Sequence, residues 1–147
     1  MRASNVSSRS ADHPLLSGRF RVEIEGLQST GATEVLLPEA RITGARSERQ
    51  AVQYGSLTLR RGMTTSGEWY RWWDVARTSA AGARKNVTVV LMDAQGADVN
   101  RWTFSEAQPT GYFVSQLDAL NGGVLVESLE LSIAGFTIVF GDKPASR

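Results

Sequence analysis

The run Val52-Gln53-Tyr54-Gly55-Ser56-Leu57-Thr58-Leu59-Arg60-Arg61 reads as extended chain and gives way to Thr65-Ser66-Gly67-Glu68-Trp69-Tyr70-Arg71-Trp72-Trp73-Asp74-Val75-Ala76, whose apolar residues follow a period near 3.6. The first half is a strand, with Leu57 and Leu59 on one face and Tyr54, Ser56 and Thr58 on the other. In the second half Trp69, Trp72, Trp73 and Ala76 fall at i, i+3, i+4 and i+7, the core-facing stripe of a helix. Arg71, Asp74 and Arg77 turn away from that stripe. Thr65 and Glu68 have the spacing of a capping box, which predicts a helix over 66–78.

Outward from this junction the pattern is β. Toward the N-terminus, 32–43 is extended but broken by Pro38, and with 52–61 it forms a long hairpin whose turn, 44–50, is polar and arginine-rich. Before it, Arg19-Phe20-Arg21-Val22-Glu23-Ile24-Glu25 alternates between Gly18 and Gly26 as a half-buried strand. After the helix, 86–93 is β-branched, Asp93-Ala94-Gln95-Gly96 is a turn, and 98–105 pairs back. A linker containing Pro109 and Gly111 then leads to a last strand, 124–134, and Phe136 to Phe140 continues it past Gly135. The expected fold is mostly β with one helix: an antiparallel β-sandwich or barrel-like subunit, residues 18–147, behind a Ser-rich leader or interaction arm, 1–17.

Composition removes most enzymatic readings. Forty-one per cent of the 147 residues are apolar, enough for one core, and 16 basic residues against 15 acidic ones rule out a polyelectrolyte or a strongly basic nucleic-acid binder. No Cys is present, which excludes thiolate nucleophiles, thiolate metal sites and a disulfide framework. The single His, His13, lies in the Ser-rich leader, so a histidine zinc site or a Ser-His-Asp triad would have to be built from one poorly placed imidazole. No apolar stretch approaches the roughly 18–20 residues that span a bilayer. We expect no catalytic, cofactor-binding or metal-binding residue.

Three features could still carry chemistry. Glu127 and Glu130 are close in sequence, but a spacing of three on a strand puts them on opposite faces, so they read as solvated acids rather than a catalytic pair. The three tryptophans could form a sugar- or base-stacking platform, although their helical spacing fits a buried stripe better. Arg41, Arg46, Arg49, Arg60 and Arg61 could hold phosphate, but the interspersed Glu39 and Glu48 favour a solvated or subunit-bridging hairpin.

The order of these segments resembles the inner tail-tube proteins of contractile-tailed phages and phage-tail-like contractile injection systems. The likeness is carried by Phe20-Arg21-Val22-Glu23-Ile24-Glu25-Gly26-Leu27, by Tyr54 through Thr64, and by Glu68-Trp69-Tyr70-Arg71-Trp72-Trp73-Asp74. It continues in 87–93, in Arg101-Trp102-Thr103-Phe104 leading to Ala107-Gln108-Pro109-Thr110, and in Val126-Glu127-Ser128-Leu129-Glu130-Leu131. The resemblance implies a homo-hexameric ring stacked into a hollow tube inside a contractile sheath, with baseplate or spike and terminator proteins as further partners. It implies assembly in the cytoplasm into a phage tail or injection particle, and no active site. A baseplate-proximal tube initiator of the same fold is the first alternative, and a carbohydrate-binding β-sandwich module is one of a different class. A net charge of +1 disfavours a lumen selected for DNA; the cargo is otherwise open.

On the tube reading the 32–61 hairpin carries the assembly contacts. Its interface or lumen candidates are Val35, Leu37, Glu39, Arg41, Arg46, Glu48, Arg49, Tyr54, Ser56 and Thr58, with Trp69, Trp72 and Trp73 as the core helix. The core is expected to lie elsewhere than the hairpin, and the tip residues Arg46, Glu48 and Arg49 are expected to meet the next ring.

Overall fold

The computed structural model describes residues 13–28 and 31–141; of the expected leader, 1–12 lies outside the described residues. Among the described residues nine strands and one α-helix follow in the order β1 Phe20–Ile24, β2 Glu34–Leu36, β3 Ala40–Thr43, β4 Ala51–Tyr54, β5 Leu57–Gly62, α1 Glu68–Thr78, β6 Lys85–Met92, β7 Asp98–Val114, β8 Val126–Ser132 and β9 Gly135–Val139. A 3-10 turn, Ala80–Ala83, links α1 to β6. All strand pairs are antiparallel.

Two layers share β7. Its first half lies between β6 and β9 in the layer β1-β6-β7-β9, and its second half continues as an outer strand of the layer β2-β5-β8-β7. The expected linker at Pro109 and Gly111 is therefore strand. Glu106, at φ 51, marks the bend, and a register shift between Pro109 and Gly111 accommodates the ring where no N–H is available. After Ala134 donates its amide to Ser105 O, β9 runs on along the same edge of β7 that β8 occupies, so Phe136 does continue the last strand, into the other layer.

Cross-strand register sets the core. Opposed residues share a face, so Ile24, Val87, Phe104 and Phe136 form one inward row and Val22, Val89, Trp102 and Ile138 the next. From the other layer Leu59 faces Leu129 and Tyr112, and Leu57 faces Leu131. Leu57 and Leu59 are fully buried, which corrects the expectation that the hairpin stands apart from the core: β5 is a central core strand. On the outward face of the first layer, Val90 is buried between the opposed Arg21 and Arg101, both of which bind Asp98.

Helix α1 buries Trp69, Trp72 and Ala76 as its spacing predicts, while Trp73 is half-buried against the same cluster. Trp72 Nε1 donates to Ala83 O, fastening the helix to the 3-10 turn. The capping box does not form. The helix starts at Glu68 behind Gly67, whose φ of 69 leaves Thr65 out of capping position. Arg71 Nη2 donates to Ser66 O at 2.8 Å, and the Glu68 carboxylate accepts the Gln28 amide.

Candidate assembly surfaces

The layer β2-β5-β8-β7 is built from four strands of alternating direction, and its two outer strands differ in origin. On one side is β2, with Val35 turned inward onto Leu59. On the other is the second half of β7, 108–114, which pairs with β8 on one side; among the described residues no strand pairs with its other side. Each edge thus offers a row of backbone donors and acceptors. The face of this layer turned away from the core carries Glu34, Thr58, Arg60, Ser128 and Glu130, with Arg60 ion-paired to Glu34 at 3.1 Å.

Inside, the same strands hold a charged pair. Strand alternation carries the buried face from Leu57 and Leu59 to Arg61, and from Leu131 and Leu129 to Glu127. Arg61 Nε donates to Glu127 Oε1 at 2.9 Å with both side chains nearly sealed from solvent, and Tyr112 Oη donates to Glu127 Oε2 at 2.7 Å. The guanidinium carbon sits 4.1 Å from the centroid of the Trp69 ring, in cation–π contact. Burial first, and the bond to Glu127 second, push the Tyr112 phenol up to about 12. Sequence reasoning placed Arg61 in a solvated arginine cluster and Glu127 among solvated acids; both assignments are corrected here. The available signal was the period-two alternation that put Leu57 and Leu59 on one face and carries that face on to Arg61.

At one end of this layer the β2–β5 hairpin extends into a two-stranded arm, β3 with β4, in the register Ala40↔Tyr54, Ile42↔Val52 and Thr43↔Ala51. Every residue of the arm strands is exposed except Tyr54. Tyr54 packs edge-on against Phe136, at 5.5 Å between centroids, and a Cβ on Gly135 would meet its ring at 3.3–3.4 Å. The tip is a self-contained turn: Ser47 Oγ donates to Gly44 O at 2.7 Å and the Arg46 amide to Gln50 Oε1. Arg46, at φ 69, Glu48 and Arg49 are exposed there, and Arg41 pairs with Glu39 at 3.2 Å. Ser56 is exposed where the arm rejoins β5, and Leu37 lines an apolar groove of about 170 Å³ with Leu15, Leu16, Phe20 and Leu91.

At the opposite end, the 115–125 loop joins β7 to β8 and exposes Leu117, Leu120 and Val124. Asp118 caps its turn, and the amides of Asn121 and Leu120 hold its carboxyl below the usual range. The loop's base is fixed by Met63 N donating to Leu125 O and by Ser115 N donating to Val126 O.

The buried positions of Trp69 and Trp72 take away the aromatic platform on which the carbohydrate-binding alternative rested. Among the described residues no group of three or more His, Cys, Asp or Glu side chains could hold a metal ion, and no helix is long and apolar enough to cross a membrane.

Known structures share this architecture. A chain in the sheath–tube complex of an extracellular contractile injection system, PVC, in its extended state superimposes with a TM-score of 0.72 at 18% identity, covering 91% of this chain and 97% of that one. A chain of the six-fold-symmetrised anti-feeding prophage baseplate gives 0.63 at 21% identity, with 88% and 97% covered. Hcp1 from Flavobacterium johnsoniae gives 0.56 at 18%, with 83% and 95% covered. No curated protein sequence matches the chain. The model of the T4-like virus tail tube protein gp19 family matches residues 17–137, and the chain belongs to that family of tail tube proteins.

Proposed function

We propose that six copies of this chain close into a ring by joining the free edge of β7 to β2 of the next copy, and that such rings stack into the rigid inner tube. The observation that carries this is strand direction. Because β2, β5, β8 and β7 alternate, the outer strands β7 and β2 run oppositely. Copies set side by side the same way up therefore continue the antiparallel order without interruption. That is a head-to-tail contact, which closes into a ring under cyclic symmetry and leaves no edge. Six copies of four strands give a barrel of 24 (6 × 4).

In this arrangement the face bearing Glu34, Thr58, Arg60, Ser128 and Glu130 lines the lumen, where its mixed charges neither trap nor repel one class of cargo. Helix α1 and the layer β1-β6-β7-β9 form the outer wall facing a contractile sheath, with baseplate or spike and terminator proteins at the tube ends. The role is mechanical and uses no active site. The reading is supported by the six-fold baseplate chain of the same fold.

Negative-stain microscopy and sedimentation of the purified chain test it. Six-membered rings or tubes are expected; a monodisperse monomer at high concentration overturns it. Replacing Val114 by Pro would remove a β7 donor at the free edge, because the adjacent Ser115 amide is the one turned to β8, and provides a second check, with rings expected to be lost while the circular dichroism spectrum persists.

A further inference from the structure

The ring leaves two apolar protrusions without partners, and they lie at opposite ends of the same four-stranded layer. The arm leaves from the end at which β2 finishes and β5 begins, whereas the 115–125 loop leaves from the end at which β7 finishes and β8 begins. A two-stranded ribbon of four residues per strand is marginal in water on its own. The register places Ile42 and Val52 opposite each other on the face that Tyr54 uses to pack on Phe136. That apolar strip is covered at its base and open beyond it, with Ile42 58% and Val52 54% exposed. On the loop, Leu117 is 81% and Leu120 92% exposed.

Copies that stand the same way up in a ring present all arms on one ring face and all loops on the other. Stacked rings of one orientation therefore bring arms to loops at every junction. Charge agrees with this pairing. The tip, 44–50, carries Arg46 and Arg49 against Glu48, a net positive charge, while the 115–125 loop carries Asp118 as its single charged residue. Resting on the ring reading above, we propose that the Ile42–Val52 face of each arm packs on Leu117 and Leu120 of a copy in the adjacent ring, with Arg46 and Arg49 beside Asp118.

The absence of Cys from the sequence makes the contact directly addressable. The full chain is prepared with Val52→Cys and, separately, with Leu120→Cys, both at exposed positions, and the two are mixed, assembled and mildly oxidised. A disulfide reports Cα atoms within about 7 Å. A covalent heterodimer in the multi-ring fraction, missing from isolated rings and from either variant alone, is the expected result. Tubes that form without that heterodimer, or a heterodimer already present in single rings, overturn the docking while leaving the ring intact. A chain that never leaves the monomer overturns the ring and the docking together. Ile42→Asp is expected to leave rings intact and shorten tubes several-fold, as is Arg46→Glu with Arg49→Glu; tubes of parental length from both variants also overturn the proposal.

Discussion

Removing one half of the Arg61–Glu127 pair should be among the most damaging changes available in this chain, and removing both halves should be far milder. Arg61 is 5% and Glu127 2% exposed, so Glu127→Leu strands a cation in the core and Arg61→Met strands an anion. Each single change should cost about 3–5 kcal/mol, most of it the desolvation of the charge left behind. Glu127→Leu also deprives the Tyr112 hydroxyl of its acceptor, a loss of about 1–3 kcal/mol that overlaps with the first. Met at 61 can still lie on the Trp69 ring where the guanidinium did. With all corners made in a Tyr112→Phe background, so that no hydroxyl is orphaned, the double variant removes both charges and should return to within about 1–2 kcal/mol of that background. Urea denaturation followed by tryptophan fluorescence gives the cycle, at one fixed protein concentration because assembly adds to apparent stability. Singles within about 1 kcal/mol of the parent, or a double whose loss equals the sum of the two, would refute the claim that the pair is sealed and coupled.

Three further outcomes are expected. Trp72→Ala removes a buried ring and the bond to Ala83 O and should cost about 3–5 kcal/mol, whereas Arg71→Ala, on the exposed side, should stay within about 0.5 kcal/mol; equal losses in thermal melts would contradict the helix orientation. Gly67→Ala forces a Cβ into left-handed backbone at φ 69 and to 2.9 Å from Arg71 Nη1, so it should destabilise by about 1–2 kcal/mol, and an unchanged or raised melting temperature would argue against that cap. Tyr112 is raised on folding, so its contribution is fully present below about 10, the phenol's ordinary range, and is lost as pH rises through about 12. An ultraviolet phenolate titration differenced against Tyr112→Phe should show this group titrating near 12, and a midpoint near 10, the phenol's ordinary value, would refute its burial.

The legible parts of the fold were those in which one periodicity ran unbroken over enough residues. The tryptophan stripe of α1, the alternation of β1 and the paired Leu57 and Leu59 all stand where their spacing places them, because burial on one face is what selects such patterns. The helix start was misread because the Thr65–Glu68 spacing satisfies a local rule, while the left-handed Gly67 between them starts the helix two residues later. Pro109 marked a linker because proline is excluded from regular central ladders; here the register shift between Pro109 and Gly111 takes up the ring and its missing N–H within β7. Arg61 and Glu127 were hidden by their charge, since hydropathy assigns each to solvent and only register brings them together.

Placement of these two fixed points bears on how force passes through the subunit. Arg61–Glu127 ties β5 to β8 next to the base of the 115–125 loop, where Gly62 approaches Val124 and Met63 N reaches Leu125 O. Tyr54 against Gly135 and Phe136 ties the root of the arm to the bend at the other end. Each protrusion therefore leaves the layer beside a side-chain contact that resists its rotation, a dry ion pair at one end and an aromatic wedge at the other. Between them the four strands share one close-packed core that has little volume to give up under compression. In the proposed stack, a push on the loop would pass along β5 and β8, which join the two ends of the layer, to the arm. Widening the wedge by Gly135→Ala, which requires the Tyr54 ring to move by a few tenths of an ångström, should then tilt the arm and disturb stacking while the denaturation midpoint barely moves. Unchanged tubes from that variant would show that the arm finds its angle from its partner instead.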